Sequence, residues 1–171
     1  DKSQGFLIAN HVLEHASNPF QVLINWGRIL TDGGILFVTI PLAGKSFDKG
    51  RSLTSLAHFL NDYSLCLTGR HDEFAQLNRA HYREWLSFSE PCIMAERGLV
   101  SCRLSEEDTV KRIEEMAESS TEIHFHTFSI PSFAEFLQYF VANIDRNFQV
   151  LEIRKSRGGG ECVAVLRRLC A

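Results

Sequence analysis

GFLIANHVLEH (Gly5–His15), followed by NPF at 18–20 and TDGGILFVTIP (Thr31–Pro41), decides the fold of this 171-residue chain. Phe6 to Ala9 is a continuous apolar run, the pattern of a parallel strand buried on both faces rather than of a half-wet one. Asn18 is a helix N-cap and Pro19 suits the first turn. Phe20, Leu23, Trp26 and Leu30 then recur at helical spacing. Thr31-Asp32-Gly33-Gly34 stops the helix because glycine accepts positive φ, and Ile35 to Ile40 is a second buried strand ending at Pro41. Strand, helix and strand within some thirty-five residues make a βαβ unit.

Working outward, residues 42–122 lose the strand pattern. Ser52–Leu65, Phe74–Phe88 and Ser105–Glu118 read as helices of an insertion or lid. In the last, Ser105 and Asp108 have capping-box-like spacing, and Val110, Ile113 and Met116 or Ala117 share one face. Pro131 opens a helix whose Phe133, Phe136, Leu137, Phe140, Val141 and Ile144 form one apolar stripe to pack on the sheet. Phe148–Lys155 and Glu161–Leu169 flank Arg157-Gly158-Gly159-Gly160, an antiparallel hairpin turned on consecutive positive-φ glycines. The expectation is an α/β fold whose sheet has four strands, the first at an edge, with all 171 residues in one domain. An edge so apolar invites pairing with a second copy.

Composition excludes several classes. Eighteen basic against 21 acidic residues, a net charge of −3, leave no electrostatic footprint for nucleic acid. No run approaches the length of a membrane span, and no basic-then-apolar leader opens the chain. Five cysteines, at 66, 92, 102, 162 and 170, form no Cys-x-x-Cys pair and are odd in number, which points to a reducing, cytoplasmic compartment.

The run Gly5–His15 with Asn18-Pro19, Trp26, Arg28-Ile29-Leu30, Asp32-Gly33-Gly34 and Pro41 resembles the second half of class I S-adenosylmethionine-dependent methyltransferases. In small-molecule members a fourth strand leads into a Val-Leu-Glu-His turn, a helix and a Gly-Gly turn precede the fifth strand, and the last strand runs antiparallel to the rest. The resemblance implies a partial Rossmann-like sheet with S-adenosylmethionine over the carboxyl end of the first strand, at Ala9, Asn10, His11, Val12 and Leu13. It implies methyl transfer to an oxygen or nitrogen of a small-molecule acceptor. Such enzymes also use a Gly-x-Gly loop after the first strand and an acid after the second, and neither precedes this segment. The glycines at 158–160 lie between two strands and make a turn only. The expectation is therefore a C-terminal part with half a cofactor site, inactive in isolation. The alternative is a non-catalytic fragment or interaction domain of the same half-fold.

The remaining candidates are histidines. His11, Glu14 and His15 converge if their turn coils, and imidazole with carboxylate suits a divalent metal. A related Glu-x-x-Glu-His turn holds a metal in the small-RNA 2′-O-methyltransferases, where His11 here stands for the first acid. Many methyltransferases carry the Leu-Glu-His turn without metal. His124 and His126 leave the same side of an extended segment and are candidates for the catalytic base, although a strand's wet face has the same pattern. Thr54, His58 and Asp62 are spaced by four on one helix face. Asp62 there would hold the His58 tautomer and make His58 a base, and a solvated face again explains the spacing. His81 shares a stripe with Leu77 and Trp85 and reads as a packing residue. Asp48, Lys49 and Arg51 form a polar cluster nearby.

Overall fold

A computed structural model describes residues 1–100 and 103–170. Cys102 lies outside the described residues; Cys66, Cys92, Cys162 and Cys170 are free thiols. Ten principal elements follow in order: β1 (Gln4–Asn10), α1 (Pro19–Ile29), β2 (Leu30–Pro41), α2 (Leu56–Leu67), α3 (His71–Glu84), α4 (Glu90–Glu96), α5 (Glu106–Glu118), α6 (Ile130–Tyr139), β3 (Phe148–Lys155) and β4 (Glu161–Arg168). The strands form one open mixed sheet in the order β1-β2-β4-β3. β1 is parallel to β2 and sits at an edge, while β4 is antiparallel to both β2 and β3. No helix among the described residues is long and apolar enough to cross a membrane.

Local chemistry explains the elements. The Asn18 side chain accepts the Gln21 N–H and Pro19 opens α1, which buries Phe20, Leu23 and Gly27. Gly27 is required by close approach, since a Cβ there would stand 2.7 Å from the Phe148 ring. In α6, Ser129 and Ser132 cap each other's backbone, and Phe133, Phe136 and Leu137 turn inward. Phe20 stacks on Phe136 at 4.5 Å, and Phe59 stacks on Phe128 at 5.4 Å. The main core thus lies between one face of the sheet and α1, α2 and α6. A second core joins Tyr82 and Leu86 to Ile113 and Met116 of α5, and to Ile123 and Phe125.

Several boundaries differ from expectation for identifiable reasons. β2 begins at Leu30, and the glycines loop out inside it: Gln4 pairs with Leu30 and Phe6 with Ile35, while Gly33 takes φ +77°. In the β3–β4 turn only Gly159 has positive φ, so the expected consecutive pair is absent. Thr54 is not on α2: Ser55 caps that helix, and the Thr54 hydroxyl accepts the Thr127 N–H instead. The helix expected to end at Phe88 passes through a π turn at Trp85–Ser89 into α4. Pro91 has no N–H to give the preceding turn, which relaxes the ladder there. β1 is covered on one face only, for Phe6 and Ile8 are 67% and 59% exposed, beside half-buried Ile35 and Phe37 on the same side.

Residues 123–128 are buried without being helix or strand, apart from one bridge between Leu42 and Phe128. Buried backbone polar groups require partners. Here loops and side chains supply them. Phe125 and His126 donate to the Glu14 carbonyl, Thr127 exchanges hydrogen bonds with Thr54, and Phe128 accepts from Ala43.

Candidate functional site

The site is built where this segment meets the turn after β1. His11 takes φ +51° and donates its N–H to the Thr39 carbonyl, which pins the turn to β2. A single 3-10 turn follows at Leu13–His15. Of the five residues assigned to the cofactor, Ala9 and Leu13 are buried, and Leu13 belongs to the main core. Asn10, His11 and Val12 are exposed and form the open surface at the carboxyl end of β1. His11 Nε2 lies 2.9 Å from Glu161 Oε1, which ties this surface to β4.

Beneath that surface Glu14, His15 and His124 converge. Neither Glu14 oxygen is exposed, and among the described residues neither has a hydrogen-bond partner. Burial pushes its carboxyl up to about 7. The His15 and His124 rings meet edge to face at 4.6 Å. Each uses Nδ1 elsewhere: His15 on the Ile123 carbonyl at 2.9 Å, and His124 on Asp48 Oδ2 at 2.6 Å. Both therefore leave Nε2 free, the orientation that backbone or carboxylate partners impose on metal-bound or catalytic imidazoles. Burial and the neighbouring His124 hold His15 below the ordinary histidine range, so it is neutral near pH 7. His11 is set back from this group, its Nδ1 being 3.8 Å from Glu14 Oε1.

A buried polar network fixes His124. Asp48 accepts from Ser89 at 2.6 Å and from Arg51 at 3.1 Å. Burial works to raise the Asp48 carboxyl, but hydrogen bonds from His124 and Ser89 and the Arg51 charge outweigh it and hold it below the usual range. Arg51 also donates to Glu84 and to the carbonyls of His124 and Phe125. One guanidinium thus satisfies two carboxylates and two buried carbonyls.

His126 points into a second group with His58, Asp62 and His81. His58 Nε2 lies 3.0 Å from His81 Nε2 and 3.3 Å from Asp62 Oδ2. Burial, with His58 adjacent, lowers His81 to about 3; burial, with His81 adjacent, takes His126 well below its ordinary value. Both are neutral at physiological pH.

The three histidines expected to act as base are therefore divided: His124 joins Glu14 and His15, whereas His58 and His126 join Asp62 and His81. Neither His124 nor His126 faces water. His81, read as packing, does pack on Phe125, but it also faces His58. Glu84 and Ser89 carried no motif, and their only signal was proximity to His81 and Trp85 on one continuous helix. A cavity of about 660 Å³ lies elsewhere, beside Arg83, Glu90, Arg103 and Glu106. No known family model matches the chain, and no curated protein matches it significantly.

Proposed function

We propose that this chain is the acceptor-side, C-terminal part of a class I S-adenosylmethionine-dependent methyltransferase that methylates an oxygen or nitrogen of a small molecule. The observation that carries the reading is the sheet: a parallel β1–β2 pair, a reversed β4 and an outer β3, with the Leu13-Glu14-His15 turn at the carboxyl end of β1. That end is where parallel α/β sheets hold ligands. The bare apolar face at Phe6 and Ile8 supports it too, because doubly wound sheets carry helices on both sides.

Methyl transfer needs in-line placement of the acceptor and a group to take its proton. Asn10, His11 and Val12 offer the cofactor surface. Glu14, whose proton affinity sits near neutrality, and neutral His15 and His124 lie directly below. The same three side chains would hold a divalent cation, and the unpartnered Glu14 carboxylate fits that role. An ion there would polarise an acceptor hydroxyl.

The test uses the protein in its full natural length with methyl-labelled S-adenosylmethionine and a panel of hydroxylated and aminated acceptors. Label transfer is expected, reduced at least about a hundredfold in His124→Ala, the usual range for a lost acid–base group. Absence of both cofactor binding and label transfer overturns the reading. The segment 1–171 by itself is expected to bind the cofactor weakly, and low-micromolar binding in calorimetry contradicts the half-site assignment.

A further inference from the structure

The second histidine group is explained neither by a cofactor at β1 nor by the Glu14 turn. His58 and Asp62 stand one helical turn apart on α2, His81 comes from α3, and His126 comes from the buried segment. One potential ligand atom from each lies within 4.8 Å of every other. Asp62 is 1% exposed, and among the described residues neither of its oxygens accepts a hydrogen bond. A buried carboxylate that accepts no hydrogen bond costs several kcal/mol. Two Nε2 atoms facing each other at 3.0 Å are equally costly unless one donates or both present lone pairs to a common ion.

We infer that His58, Asp62, His81 and His126 form a four-ligand site for a divalent transition metal of the zinc class. Tetrahedral bonds of about 2.0–2.1 Å separate neighbouring ligand atoms by about 3.3–3.4 Å. The structure has 3.0 Å between the His58 and His81 nitrogens and 3.3 Å from His58 to Asp62, while His126 Nε2 is 3.7 Å from Asp62 and 3.4 Å from the Ser17 carbonyl, a contact that the ion would replace. Three imidazoles and one carboxylate are borderline ligands that suit zinc better than magnesium or calcium. Four protein ligands leave no open position, so the ion is structural. It ties α2 and α3 to the segment that carries His124 and thereby holds the floor of the Glu14 turn. This site does not depend on the methyl-transfer reading, since its readout is metal content.

The experiment is elemental analysis of the purified chain after zinc loading and gel filtration, with thermal melts before and after chelation. One equivalent of zinc retained at this site is expected, with a melting temperature lowered by chelator and restored by zinc. Asp62→Asn and His81→Ala should weaken zinc binding at least about a hundredfold, because even partners outside the ligand shell are worth about ten- to a hundredfold. Glu14→Gln and His15→Ala should keep this equivalent. His58→Gln, altered at the partly exposed ligand, tests the site if the buried variants fail to fold. Cobalt substituted into the wild type should give the intense visible bands of a tetrahedral ion, and these should be lost in His58→Gln. Three results overturn the inference: no zinc retained by the wild type, a melting temperature indifferent to chelator, or zinc lost in His15→Ala but kept in His58→Gln and Asp62→Asn.

Discussion

Two extended, buried segments in this protein are held by opposite means. Residues 36–39 of β2 are flanked by β1 and β4, so their backbone groups are satisfied by a repetitive ladder. Residues 123–128 have no such ladder, and their backbone depends on Arg51, Thr54, Ala43 and the Glu14 carbonyl. A ladder distributes its stabilisation over many equivalent bonds. A segment anchored by particular side chains concentrates it, and it also brings functional groups to places that a strand would not reach. Both histidine groups occur at the second kind of segment.

The contrast can be broken most directly at Arg51. Removing it leaves Asp48 and Glu84 without their cation and two buried carbonyls without a donor, and uncompensated buried charge of this kind costs about 3–5 kcal/mol. Arg51→Ala is expected to destabilise by about 4 kcal/mol in urea unfolding, with about a third recovered when Asp48→Asn is added. Full additivity of the two substitutions would show that the network is not coupled. In β2, Leu36→Ala is expected to cost about 3 kcal/mol through cavity formation. No second-site polar change should rescue it.

Acid should act on the same side of the molecule. His81 and His126 bind protons far less readily folded than unfolded, so their contribution is present above about pH 6.5 and is lost as pH falls towards the folded values. Glu14 has the opposite sign. Its folded value of about 7 exceeds the unfolded one, so its contribution is present below about pH 4.5 and is lost as pH rises through 7. Two histidines outweigh one carboxyl. Chelator-treated protein is therefore expected to lose stability as pH falls from 6.5 to 4.5, each histidine contributing at most about 1.4 kcal/mol per pH unit. Glu14→Gln should steepen the loss by about 2 kcal/mol. A shallower loss in that variant, followed by denaturant unfolding across pH, would reverse the assignment for Glu14.

Smaller changes sharpen the comparison. Thr54→Val removes the acceptor of the buried Thr127 N–H and is expected to cost about 1–2 kcal/mol, with faster amide exchange at Thr127 and His126. Ser129→Ala removes one half of the α6 capping box and should cost about 1 kcal/mol, with exchange unchanged at residues 124–126. Equal exchange profiles in the two variants would argue that the segment and the helix open together.

The amino-acid sequence by itself determined β1, α1, β2, α6 and the terminal hairpin. In these elements burial follows a short period, and Asn18, Pro19 and Pro131 mark helix starts by local chemistry. It also singled out His58, His124, His126 and the His11–His15 turn by spacing, and it paired Asp62 with His58 because both lie on one helix. Only the tertiary structure decided which histidines meet. His15 and His124 are 109 positions apart, and His58 and His126 are 68 apart, distances over which no periodicity carries information. It also decided that His81 belongs with His58, and that Arg51 binds carbonyls 73 and 74 positions away. Periodicity records which side of an element is buried. It does not record which buried polar group from another element will be there, because that depends on how the elements pack and on the need of each buried charge for a partner.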